Sequence, residues 1–352
     1  MAGKSIMSSL TSTFDRRKFL KTLTVTTGAL AAPSVLRAAP ANLIFSSWLA
    51  PPSPVRQNLF EVWADEIPSI TDGRVEVTLL QEALAPPPGH LGLLRENKAD
   101  IAYALHGYSP GEFQRSQIGQ FSFLGDAYSA SHAFSKVYGQ LLDAEKEHTG
   151  MELLGLFQHG PGVLMLKDKR VESPEDYRGL RIRTSGGYIG NLIEDLGGTH
   201  VPMSPTAVRQ AFIDGIIDGV AFPYEGAVNF NIADQITFIS EIPNGYYNAT
   251  WFLGLSQEAA SRIEERDLAA IKEFSAQTVH VLAAKTFDYV DYVSKEELEA
   301  GGIEILKASP EVIGHIKGLA SNYEQQWAET LTAEGYDGAR ALAFTRRMTN
   351  GE

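Results

Sequence analysis

Cysteine is missing from all 352 residues. That absence removes disulfide scaffolds, thiolate zinc sites, iron–sulfur clusters and thiol nucleophiles together. Positive charge is scarce as well: 30 Lys and Arg against 43 Asp and Glu give a formal charge of −13. No basic surface of the kind that nucleic-acid phosphates require is therefore expected. Beyond the first forty residues no run reaches about 18 apolar residues, so the mature chain is expected to be soluble. The G-x-S-x-G elbow, H-E-x-x-H and the P-loop are absent, which leaves an enzyme unsupported. The eight histidines are scattered without paired metal spacing, and neither a metal nor a cofactor is expected. No repeat of about 20–50 residues is visible.

What is present begins with an uneven distribution of charge. Lys4, Arg16, Arg17, Lys18, Lys21 and Arg37 face only Asp15 in residues 1–41, a local charge of +5 that leaves −18 on the remainder. Arg16-Arg17-Lys18-Phe19-Leu20-Lys21 precedes a short, mild apolar stretch, Thr22–Ala32, and then Ala39-Pro40-Ala41, an A-x-A-type cleavage pattern. The run is too short to span a bilayer. It resembles a bacterial twin-arginine export signal, which implies a periplasmic protein. The simpler alternative is an amphipathic N-terminal helix that stays on the chain.

From residue 42 strand-like and helix-like runs alternate. Leu43–Trp48, Arg74–Leu79 and Asp100–Leu105 read as strands, with Val55–Ile67 helical between the first two. Met151–Phe157, Val163–Leu166, Leu180–Thr184 and Val220–Phe222 repeat the logic. Ser204-Pro205 supplies a cap and a first-turn proline for a helix running to about Phe212. Such alternation implies βαβ units and a sheet covered on both faces. After Ser256 the pattern is helical almost to the end, broken near Gly301-Gly302. Two α/β domains are expected, with a ligand cleft between them. Gly186-Gly187 after the Leu180–Thr184 strand is a tight strand-to-helix turn; it lacks the G-x-G-x-x-G spacing of a nucleotide loop.

Asp176-Tyr177-Arg178-Gly179-Leu180-Arg181-Ile182-Arg183, Val201-Pro202-Met203 and Asp218-Gly219-Val220-Ala221-Phe222-Pro223 together resemble the substrate-binding proteins of TRAP transporters (DctP type). The resemblance implies a two-domain periplasmic binding-protein clamp of the α/β class, with mixed, mostly parallel sheets, a cleft between lobes and long C-terminal helices. It divides the chain into a signal at 1–41, lobe I at 42–164 with contributions from about 251–352, lobe II at 165–250, and a helical hinge-spanning segment at 251–352. It implies uptake of a small organic acid without covalent chemistry, and partnership with a small and a large membrane subunit as the only membrane contact. A twin-arginine-exported periplasmic enzyme acting on a small organic acid is the alternative.

The family's carboxylate-holding arginine falls at Arg183. A guanidinium presents a planar fork for two parallel bonds and stays charged when water is excluded. Arg183 ends a strand, the end that faces the crevice in open α/β sheets; Arg181 is taken as a surface residue. The chain departs from the family pattern where Phe222 replaces an Asn, and where no second arginine stands near Val163. Those losses favour a monocarboxylate with an apolar or aromatic body over an acidic sugar or dicarboxylate. Phe222, Trp48, Tyr103, Tyr108, Tyr188 and Tyr224 are the aromatic candidates for its walls, with core packing the simpler reading for Tyr103 and Tyr188. His106, His159, Ser185 and Glu225 complete the candidate ligand contacts.

Overall fold

The computed structural model describes residues 39–350; the export signal falls almost entirely on residues outside them. Two sheets organise the chain. The first contains β1 (Ala41–Ser46), β2 (Val75–Leu79), β3 (Ile101–Leu105), β4 (Met151–Gln158) and, much later in sequence, β10. The second takes β5 (Val163–Leu166), β6 (Arg181–Thr184), β7 (Thr199–Pro202), β8 (Gly219–Phe222), β9 (Phe238–Glu241) and β11. Here β10 is Thr250–Ser256 and β11 is Glu304–Lys307. The strand orders are β2-β1-β3-β10-β4 and β11-β9-β5-β8-β6-β7.

Sequence chemistry explains the order. Ile101-Ala102-Tyr103-Ala104-Leu105 is apolar throughout and buried throughout, as a central strand covered on both faces must be. Val75-Glu76-Val77-Thr78-Leu79 alternates and takes an edge, its polar residues turned to water. Strand parity then splits the core: Ile101 and Tyr103 join the cluster with Trp63 and Val279, whereas Ala102 and Ala104 join the one with Tyr138 and Phe252.

The sheets are mixed. β1 runs parallel to β2 and β3, but β10 is antiparallel to both β3 and β4. In the second sheet β6 is parallel to β7 and β8, and β5 is antiparallel to β8 and β9. The 164/165 division drawn from the sequence cuts through β5, which lies wholly in the second sheet with Val163 opposite Phe222.

Helices cover the faces: α1 (Val62–Ile70), α2 (His90–Arg95) and α3 (Ala127–Lys136) with the first sheet, α4 (Tyr188–Asp195), α5 (Val208–Ile213) and α6 (Tyr224–Asn229) with the second. After the short α7 (Gln257–Ser261) comes α8 (Glu265–Ala300), 36 residues and about 54 Å long. It packs on α1, α3 and β4 at one end and on α6 at the other. The chain then turns through Gly301-Gly302 into β11 before α9 (Pro310–Ala333) and α10 (Gly338–Thr349). The segment after 256 is therefore helical except for one edge strand, added where the sequence shows its glycine break.

The sheets are joined by segments that lie side by side. Between β4 and β5, Gly162 donates its N–H to Tyr247 O at 2.8 Å and accepts from Tyr246 N at 2.9 Å. The Asn248 side-chain amide donates to His159 O at 2.8 Å. Gly162 has to be glycine: a Cβ there would lie 2.2 Å from the Tyr247 ring.

Candidate ligand-binding site

β6 ends at Thr184 and places Arg183 one residue earlier, side chain inward and 1% exposed. Its Nε and Nη2 both donate to Met203 O, at 3.1 and 2.9 Å. Its guanidinium lies over the Phe222 ring, 4.5 Å from the centroid, with the phenols of Tyr108 and Tyr247 as its electrostatic neighbours. Among the described residues no carboxylate pairs with it, and burial pulls its pKa below the ordinary value. A desolvated cation with no anion costs several kcal/mol of stability. Arg181, two residues earlier and partly exposed, forks onto Asp218 at 2.8 and 3.0 Å.

Arg183 borders a cavity of about 620 Å³, counting the space at its mouth. One wall comes from the first sheet: Trp48 just after β1, Tyr103 on β3, Phe157 on β4 and Trp251 on β10. Trp48 packs on Tyr103 at 3.9 Å and stacks on Trp251 at 5.7 Å, and Trp251 stacks on Phe157 at 5.7 Å. The indole Nε1 of Trp251 is buried with no partner among the described residues. The facing wall comes from the second sheet: Ser185, Pro205, Phe222, Pro223, Glu225 and Phe230. Phe222 and Phe230 stack at 5.2 Å. The composition is an aromatic box with one cation.

The rims of the two walls touch. A Cβ on Gly186, whose φ is +86°, would lie 2.8 Å from Gly107 O, so this meeting of backbones needs glycine. Beside it the Tyr188 N–H, at the start of α4, donates to Gln120 Oε1 at 3.1 Å.

Of the eight contacts expected from the sequence, Arg183, Phe222, Trp48, Ser185, Glu225 and His159 border this cavity. His106 and Tyr224 do not. At the end of β3 the chain tightens into a turn that carries His106 away to His148, 3.1 Å between Nε2 atoms, among Phe113, Tyr138 and Phe252. His148 Nδ1–H donates to Ala144 O at 2.8 Å, so its Nε2 is the acceptor and His106 the donor. Burial pushes both imidazoles toward the neutral form, His148 to about 4. Tyr224, at the start of α6, turns its ring under the Lys295 ammonium, 5.1 Å from the centroid.

His159 is on the wall, but both its nitrogens are committed: Nδ1–H donates to Gly160 O at 2.6 Å and Nε2 accepts from Ala249 N at 2.9 Å. Burial lowers its pKa to about 4. It offers ring surface rather than a polar contact. Of the other aromatic candidates, Tyr103 and Tyr108 are on the wall, whereas Tyr188 is buried in the core with its hydroxyl bonded to Ser122 at 2.7 Å. Sequence reasoning missed Phe157, Tyr247, Trp251 and Phe287. Among the described residues no three His, Asp or Glu side chains converge as a metal site.

Residues 45–330 match the family model for bacterial extracellular solute-binding proteins, family 7. The chain belongs to that family. A TRAP periplasmic solute-binding protein from Bordetella bronchiseptica, solved with bound (R)- and (S)-mandelate, superposes on 89% of this chain and 99% of its own with a TM-score of 0.85 and 32% identity. A TRAP solute-binding protein from Rhodoferax ferrireducens, with copurified benzoate, covers 88% of this chain and 98% of its own at TM-score 0.79 and 26% identity. The sequence is also 25% identical over 319 residues, 90% of this chain and 94% of the relative, to an outer membrane transporter protein, TsaT, of Comamonas testosteroni. The receptor therefore has the two-lobe clamp of TRAP solute-binding proteins, which are periplasmic, and its relatives are receptors rather than enzymes.

Proposed function

We propose that this TRAP receptor captures a monocarboxylate with an aromatic or otherwise apolar body between its lobes and presents it to a small and a large membrane subunit. Arg183 holds the carboxylate, Phe222 and Trp48 pack the body, and Ser185 and Glu225 are polar contacts at its edge. The observation that carries this reading is the buried Arg183 guanidinium without an anionic partner among the described residues, in a cavity lined largely by aromatic rings. A carboxylate there completes an ion pair with a guanidinium that burial has already desolvated. A second carboxylate or a polyol would meet rings instead of donors. The mandelate and benzoate held by the Bordetella and Rhodoferax relatives fit the same chemistry. Closure of the lobes about the paired segments at Gly162 and Tyr247 then makes the bound state a distinct shape. Reaching the periplasm through the twin-arginine-like signal at 1–41 belongs to the same proposal.

Titration calorimetry tests it with benzoate and mandelate, against succinate and glucuronate. The aromatic acids bind more tightly, and Arg183→Ala weakens them by about 30-fold to several thousand-fold, as removing one member of a buried charge pair does. Binding confined to succinate or glucuronate, or affinity unchanged in Arg183→Ala, overturns the reading.

A further inference from the structure

The carboxylate at Arg183 accounts for one polar group of the cavity and leaves open what Glu225 contacts. Glu225 is on the opposite lobe from Trp251, in the first turn of α6, with its side chain on the cavity wall. Its backbone N–H donates to Asp291 Oδ1 at 2.8 Å, and the Asn229 amide donates to its Oε2. Its Oε1 has no hydrogen-bond partner among the described residues. No cation pairs with it directly: Lys295, one turn beyond Asp291 on α8, is taken by Glu241 at 3.0 Å, and Arg183, on the same cavity wall, donates to Met203 O.

The groups that face Glu225 are Asp291 from α8, Tyr247 from the segment before β10, and Asn229 from its own helix. Asp291 is itself buried, with Oδ2 unpartnered among the described residues. Two adjoining, largely desolvated carboxyl groups with no cation paired to either do not readily ionise together. Burial accordingly raises Glu225 to about 7 and Asp291 well above the usual carboxylate range. Below about pH 7 Glu225 thus offers the cavity a neutral carboxylic acid, able both to donate and to accept. Across the cavity, the Trp251 N–H is a second unmet polar group. A hydrocarbon ligand would displace water from both and replace neither hydrogen bond, which is costly in a dry site.

Building on the carboxylate reading above, we propose that the ligand is a hydroxylated aromatic monocarboxylate, and that Glu225 recognises the hydroxyl while Arg183 holds the carboxylate. A second carboxylate is disfavoured, because it would give up its hydration at this wall with no cation paired to it. An uncharged hydroxyl is welcome there. Sites built to hydrogen-bond a hydroxyl discriminate strongly against the analogue that lacks it.

The test pairs each parent acid with its hydroxylated form: phenylacetate with mandelate and with 3- and 4-hydroxyphenylacetate, and benzoate with 3- and 4-hydroxybenzoate. Calorimetry on the full mature receptor is expected to show at least one hydroxylated member binding ten-fold or more tighter than its parent. E225L erases that advantage; E225Q, which keeps a neutral donor and acceptor, retains most of it. R183A weakens both members of the pair alike. Parents that bind as tightly as every hydroxylated form, or an advantage that survives E225L, overturn the hydroxyl assignment and leave the carboxylate reading standing. Parent and hydroxylated acids that all bind equally well to R183A overturn both. Thermal melts of each variant establish that it is folded.

Discussion

Glu225 is also where the pH dependence of the empty receptor can be worked out. An unfolded glutamate ionises near 4.5, whereas the folded one resists ionisation up to about 7. A raised folded pKa means that the favourable contribution is complete below about 4.5 and is lost as pH rises through about 7. The loss amounts to at most about 3.5 kcal/mol, less where cavity water reaches the carboxyl. Glu225→Gln cannot ionise and escapes it. Melting curves of ligand-free protein should therefore show the variant gaining on the parent between pH 5 and pH 8, with the two equal near pH 4; a constant offset across that range counts against the assignment. Residues of this kind were partly legible in the sequence. Arg183 and Phe222 stood at strand ends within a specific motif. Trp251, Phe157 and Phe287 had no such marker, because an aromatic in an apolar run looks the same whether it faces a core or a cavity. His106 had the right chain position, and the turn after β3 carried it elsewhere.

At the scale of elements, α8 does more than cover the first sheet. Two of its carboxylates, one turn apart, accept hydrogen bonds from the starts of helices on different lobes. Asp288 takes the N–H groups of Ala127 and Tyr128 at 2.7 and 3.1 Å at the head of α3, and Asp291 takes that of Glu225 at the head of α6. These amides have no partner within their own helices, and a carboxylate suits the positive helix end. Asp288→Ala should lower stability by about 1–2 kcal/mol, the usual cost of losing such a cap; urea unfolding measures it, and a change below 0.3 kcal/mol would show that water serves α3 equally well. The long helix was legible from its apolar face. The strand before it was not: Trp251-Phe252-Leu253-Gly254-Leu255 is buried on both sides in the middle of the first sheet, and a continuous apolar run carries no period by which to tell strand from helix. Its antiparallel pairing is likewise a long-range fact, set by partners about 95 and 150 residues away and by no local signal.

For the whole molecule, the sequence pattern suffices for two α/β layers and a cleft between them, but how the lobes meet depends on backbone contacts that composition does not encode. Gly107 and Gly186 are the decisive pair, because a Cβ on either would lie 3.3 or 2.8 Å from the other's carbonyl oxygen where the rims meet. Gly186→Ala places a methyl 2.8 Å from Gly107 O at a φ of +86°, a conformation that side chains resist. The substitution should weaken ligand binding about ten-fold by opposing closure, and solution scattering should show a ligand-saturated variant more extended than the parent. Equal dimensions and equal affinity would show that the contact is dispensable. The unpaired guanidinium of Arg183 has a further consequence for such a shape change. With no resident carboxylate beside it among the described residues, shutting the lobes over an empty cavity strands a cation in a dry interior, whereas shutting them over an acid neutralises it. A methyl ester of the same acid fills the volume and leaves the charge bare. If Arg183 holds the acid as proposed, the shut form becomes affordable only with an anion aboard, and empty receptors then do not imitate loaded ones at the membrane.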